Sequence, residues 1–225
     1  MSNKRRAKRP APTRRATPRR APGGRNTWVL AGVAVTAVAL AIGIAVAAGG
    51  GDGTEERTEI AAVEVEGEGL PTFTREGSDP AVGMAAPRLQ GVGFDDQAVE
   101  VGGGGTPSVV VLVAHWCPHC QRDLPVVADV VAGAEPEGVE VVAVSSLASS
   151  ERPNWPPSSW FDDVEWPGSV LVDDADGTAY QALGASGTPF TVVLDGEGRV
   201  LRRVSGEVGA EGFRQLLELA RGSQR

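Results

Sequence analysis

The chain of 225 residues predicts an α/β fold, a mixed central sheet flanked by helices, preceded by one apolar helix. Three observations carry this. β-branched apolar runs alternate with helix-length segments, which implies parallel strands joined by crossover helices. Two closely spaced strands and an amphipathic helix close the chain, adding an antiparallel edge. The only two cysteines, Cys117 and Cys120, stand two residues apart at a strand-to-helix junction.

Arg88–Val92 and Ala98–Val101 read as a hairpin around Gly93-Phe94-Asp95-Asp96. Ser108–Ala114 is continuously apolar after its serine, as a strand covered on both faces must be. Pro118–Val131 reads as a helix, with Leu124, Val127, Val130 and Val131 at helical spacing and Pro125 as an internal kink. Val139–Ser145 is a second buried strand. Segment 151–168 is rich in Trp and Pro, with a short helix around Ser158–Asp163. Val170–Val172 is a short strand, and Thr178–Leu183 a helix stopped by Gly184. Phe190–Leu194 and Arg199–Val204 flank Asp195-Gly196-Glu197-Gly198 as a hairpin. Glu211–Arg221 presents Phe213, Leu216, Leu217 and Ala220 on one face. No internal repeat is visible.

The net charge of −8 hides a split. Ten of the 21 basic residues precede position 51, with no acid among them, whereas all 29 acids follow. Residues 1–27 form a Pro/Arg-rich tail that cannot build a core and is expected to be disordered. Residues 28–48 hold 21 uncharged residues with Trp28 at the start, long enough to cross the ~30 Å hydrocarbon core as a helix. Basic residues ahead of that span place the N-terminus in the cytoplasm and the rest outside. A cleaved signal peptide, cut near Ala45-Val46-Ala47, is the competing reading; the apolar run exceeds the usual ~7–15 residues. The expected location is therefore the cell membrane, single-pass, with an extracytoplasmic domain. The tail fixes topology in this reading, and nucleic acid is not expected as a partner. Residues 49–80 read as an acidic flexible linker, and 81–225 as the folded domain.

In Trp116-Cys117-Pro118-His119-Cys120, Cys117 falls at a helix N-terminus, where free N–H groups and the helix dipole favour a thiolate. Cys120 follows one turn later, within reach of a Cys117–Cys120 disulfide. As an inert staple that bridge would close too short a loop to remove much chain entropy. Zinc would need four spaced ligands, and His115, Cys117, His119 and Cys120 crowd into six residues. A redox couple is the remaining chemistry.

The Cys-x-x-Cys at this junction resembles the thioredoxin superfamily. Pro125 stands where thioredoxins carry a helix-kinking proline, and Gly187-Thr188-Pro189 resembles their cis-proline loop. Val82-Gly83-Met84-Ala85-Ala86-Pro87 and the stretch from Gly184 to Val200 resemble exported TlpA/ResA-like thiol–disulfide oxidoreductases. The resemblance implies a thioredoxin-like fold over residues 81–225. It makes Cys117 the attacking nucleophile and Cys120 the resolving thiol. Pro189 would be cis and face the sulfurs, and the Thr188 backbone would pair with an extended substrate. Trp116 would pack beside the couple, and Pro118 and His119 would tune it. Pro-His between the cysteines resembles DsbA-type oxidants, whereas the framework resembles reductases, often of cytochrome c maturation. The two point in opposite directions. Where thioredoxins bury an acid, six residues before Cys117, this chain has Val111; Asp162, Asp163 or Glu165 is left to supply a carboxylate. His115 reads as a rim residue.

These readings imply a membrane-inserted monomer exchanging disulfides with exported proteins and with another thiol redox partner, in the membrane or outside it. A reductase dedicated to apocytochrome c is the related alternative; a redox-inert binding module on a tether is the alternative of another class. With no dinucleotide fingerprint, no tightly bound cofactor is expected.

Overall fold

The computed structural model describes residues 57–75, 77–134 and 138–223. The expected tail and the expected membrane helix at 28–48 lie outside these residues. Among the described residues no helix is long and apolar enough to cross a membrane.

Two sheets organise the domain. The first is antiparallel, β1 (Glu64–Glu66), β2 (Arg88–Val92) and β3 (Ala98–Val101), in that order. The second has five strands: β4 (Ser108–Val113), β5 (Glu140–Ser145), β6 (Ser169–Val172), β7 (Phe190–Leu194) and β8 (Val200–Ser205). Their order is β6-β5-β4-β7-β8; β4, β5 and β6 are mutually parallel, and β7 and β8 run antiparallel. The helices are α1 (Pro118–Ala134), α2 (Pro157–Asp163), α3 (Thr178–Ala182) and α4 (Gly209–Gly222).

Every residue of β4 is buried, which explains its unbroken apolar run. Its side chains alternate between two cores. Val109, Val111 and Val113 join Leu124 and Val127 of α1, Phe213, Leu216 and Leu217 of α4, and Trp160 and Phe161 of α2. Val110 and Leu112 join the opposite core with Leu89, Leu171, Phe190 and Val192. The Trp/Pro-rich segment is therefore core packing at Trp160 and Phe161, while Trp155 stays 39% exposed.

The expected linker is corrected over residues 57–75 and 77–80, which belong to the domain as a strap. Val63, Leu70, Phe73 and Ala81 are buried in the second core, and burying a Val, Leu or Phe side chain stabilises by about 1.5–3 kcal/mol. β1 pairs with β2 in register Val65↔Leu89. The Leu70 and Phe73 amides donate to the Ala182 and Gly184 carbonyls, both at 2.8 Å. Farther along, Asp79 meets Arg203 of β8 through two bonds, Nε–Oδ2 at 2.8 Å and Nη2–Oδ1 at 2.5 Å. Arg203 also donates to the Pro71 and Leu183 carbonyls. Gly184, at φ +66°, sits where a Cβ would collide with Pro71 O and Arg203 Nη1; only glycine suits that turn. The strap is held because a buried guanidinium must be fully paired.

Candidate functional site

The site grows from the end of β4. After Val113 the chain turns through Ala114, His115 and Trp116, and the Cys117 amide donates to the Ala114 carbonyl at 3.0 Å. Cys117 then occupies the N-cap of α1: its carbonyl accepts the Gln121 amide at 3.0 Å. Pro118 at the first helical position lacks only an N–H that the helix does not use. The next two amides, of His119 and Cys120, help hold the Cys117 thiol below its usual pKa, in the role amides at a helix start play toward a capping oxygen.

The sulfurs have unlike surroundings. Burial pushes the Cys117 thiol up, but Thr188, Cys120 and those two amides more than offset it, so its pKa is lowered. As a thiol, its Sγ donates to the Thr188 carbonyl at 3.2 Å. Cys120 is fully buried. Burial pushes its pKa up to about 12, and Cys117 beside it adds to the rise. Both are free thiols in this structure, the reduced form of the expected Cys117–Cys120 couple. Thr188–Pro189 is a cis peptide, and the loop ahead of β7 meets Cys117 through the Thr188 carbonyl.

Trp116 is half-buried; its Nε1–H donates to the Leu147 carbonyl at 2.8 Å, and the Arg152 guanidinium lies 4.7 Å from its ring centre. His115 is corrected from rim to interior, being 1% exposed. Nδ1–H donates to the Pro153 carbonyl at 2.8 Å, and Nε2 accepts the Ser149 amide at 3.2 Å. Its own carbonyl accepts from the Gln121 and Asn154 side chains. His115 thus ties loop 147–156 to the start of α1, and that loop carries the supports of Trp116. Burial lowers its pKa, against hydrogen bonds to the Pro153 and Asn154 backbone.

The exposed His119 ring meets Glu207, with Nδ1 2.6 Å from Oε1. Arg122 Nη2 lies 2.5 Å from that oxygen. Sequence reasoning passed over Glu207, which lies 88 residues from His119. It also missed Asp123, buried one turn after Cys120. That carboxylate accepts the Val208 and Gly209 amides and so caps α4. Asp162, Asp163 and Glu165, considered as carboxylates for Cys120, are all exposed, and Asp162 pairs with Arg57 at 2.5 Å. Val111 is buried and leaves the acid position apolar. Among the described residues no group of three or more His, Cys, Asp or Glu is arranged to hold a metal ion.

A thiol of lowered pKa at a helix start, a deeply buried partner one turn on, and a cis-proline loop against the first sulfur are what disulfide exchange requires. Residues 94–221 match the family of thioredoxin-like domains. Among curated proteins, the chain is 27% identical over 113 residues to the thiol:disulfide interchange protein DsbE of Pseudomonas aeruginosa, covering 50% of this chain and 58% of that one. It is 30% identical over 128 residues to the methylamine utilization protein MauD of Methylophilus methylotrophus, covering 55% and 56%. The chain thus spans little more than half the length of these relatives. A crystal structure of a DsbE-type protein from Chlorobium tepidum superimposes with a TM-score of 0.53 at 23% identity, over 62% of this chain and 96% of that one. This likeness is one of fold.

Proposed function

The chain belongs to the thioredoxin-like domain family, and on that premise we propose that it is a thiol–disulfide oxidoreductase acting through Cys117 and Cys120. The unlike environments of the two sulfurs carry this reading: one thiol lowered, the other pushed up to about 12. The Cys117 thiolate attacks a disulfide sulfur of the substrate, forming a mixed disulfide and releasing one substrate thiolate, which takes up a proton. Cys120 gives up its proton and attacks the Cys117 sulfur. The Cys117–Cys120 disulfide forms and the second substrate thiolate leaves. Two electrons pass from the dithiol to the substrate; the reverse sequence oxidises a substrate dithiol. Proton loss from the buried Cys120 is the costly moment, since desolvation opposes its charge.

Thr188 and Pro189 stand where an extended substrate segment would lie against Cys117, with the backbone pairing in strand fashion. Trp116 walls the couple, and Pro118 starts the helix whose amides stabilise the thiolate. We also propose that residues 28–48 anchor the chain in a membrane, with the domain outside the cytoplasm and exported proteins as substrates. The apolar span and the basic residues ahead of it support that placement. Interchange activity in the names of several relatives supports the same chemistry.

Two substitutions test the reading. Cys117→Ser is expected to abolish insulin reduction and glutathione exchange. Cys120→Ser is expected to keep the attack and accumulate a mixed disulfide with the substrate, seen as a covalent mass increase. Exchange that survives Cys117→Ser would overturn the role of Cys117, and a wild-type chain that exchanges with neither insulin nor glutathione would favour an inert tethered module.

A further inference from the structure

The His119–Glu207–Arg122 cluster bears on the conflict between the Pro-His dipeptide and the reductase-like framework. Two nitrogens converge on Oε1 of Glu207: His119 Nδ1 at 2.6 Å and Arg122 Nη2 at 2.5 Å. A carboxylate oxygen can only accept, so the ring proton sits on Nδ1 and both groups donate to Glu207. Arg122 Nη2 also lies 2.8 Å from Nδ1; with that nitrogen protonated, the guanidinium bond goes to the carboxylate. The Arg122 guanidinium, and then His119, hold the Glu207 carboxyl below the usual carboxylate range, so Glu207 is an anion at neutral pH. What His119 offers the Cys117 sulfur is its backbone amide, while its ring is engaged across the surface.

We propose that Glu207 is a positioning residue that acts through His119: it holds the imidazole and cancels cationic charge beside Cys117, keeping the couple more reducing than Cys-Pro-His-Cys by itself would be. The direction follows from charge counting. Removing Glu207 takes away one negative charge. At most it costs His119 one proton, so the cluster's net charge never falls. The ring is freed from its acceptor at the same time. More positive charge near the sulfur stabilises the thiolate, hence the dithiol, and makes the disulfide more oxidising. This inference rests on the thiol–disulfide reading and adds to it the residue that sets the poise.

The test uses the full chain equilibrated in glutathione buffers, with the reduced fraction read by alkylation and mass shift. With only two cysteines in the sequence, that fraction reports the couple directly. The absorbance of the Cys117 thiolate against pH is recorded alongside. Glu207→Ala removes the charge and the acceptor; Glu207→Gln removes the charge and keeps an acceptor for Nδ1–H. The expected result is a shift in the equilibrium constant toward the dithiol of about tenfold for Glu207→Ala, equal to about 30 mV. Glu207→Gln should shift it less, and the thiolate should appear at lower pH in both. In a His119→Ala background the effect of Glu207→Ala should be smaller, since only the uncancelled charge of Arg122 remains. An unchanged constant, a shift toward the disulfide, or the same shift with and without His119 overturns the inference and leaves the redox reading standing. A wild-type chain that does not exchange with glutathione overturns both.

Discussion

Two guanidinium–carboxylate pairs meet the chain along β8 and the turn after it, and their surroundings are opposite. Arg203 and Asp79 are 0% and 4% exposed in their side chains. Arg122 and Glu207 are 57% and 36% exposed. The first pair joins the strap to the sheet, far in sequence from the cysteines. The second stands beside the redox motif. A buried pair is a structural commitment, because neither partner can be removed without leaving an uncompensated charge. An exposed pair contributes little to stability, which leaves its charges free to be set by the chemistry next to them.

The largest expected effect is at the buried pair. Asp79→Ala leaves Arg203 with only carbonyl acceptors, and breaking such a pair typically costs about 3–5 kcal/mol. Denaturant unfolding should show the midpoint falling accordingly, and protease should cut the strap first. If stability were unchanged, residues 57–80 would behave as the linker their sequence suggests. The same carboxyl sets an acid response. Arg203 lowers the Asp79 pKa, against burial. Its contribution is therefore complete above the ordinary carboxylate pKa of about 3.9 and is lost as pH falls through the lower folded value. A pH series of unfolding midpoints should show that slope in the wild type and a shallower one in Asp79→Asn.

An intermediate effect is expected at His115, buried like Asp79 yet next to the motif. His115→Ala strands the Ser149 amide and the Pro153 carbonyl and should cost about 2–3 kcal/mol. Because burial lowers the folded pKa of His115, its stabilisation is full above the unfolded value of about 6.5 and declines as pH falls below it. The variant should lack that decline. The smallest stability effect is at the exposed pair. Glu207→Ala should leave the melting temperature where it is while moving the glutathione equilibrium. A clear loss of stability would show that this pair, too, is structural.

The same contrast shows what could be read from the residues alone. Cys117 and Cys120 were legible because their chemistry is local: spacing, a preceding apolar strand and a following helix define an N-cap and a partner one turn away. The helix of Pro118 to Val131 was legible from its apolar period and runs three residues further, to Ala134. Strap residues Val63, Leu70 and Phe73 were not, since isolated apolar residues among Glu, Gly and Pro carry no period. Arg203 lies beside Arg202 in a strand, and nothing local marks it as buried. Its burial follows from Asp79, 124 positions away. His115 read as rim because nothing local announces that loop 147–156 folds over it.

The sequence by itself determined the alternation of strands and helices, the two-sided burial of β4 and the place of the redox couple, because each follows from residues within a turn or a strand of one another. Tertiary structure alone decided which segment closes the second core, which histidine is buried, and which carboxylate reaches His119. Those depend on contacts between residues tens of positions apart, where burial and paired charge, not local propensity, select the partner.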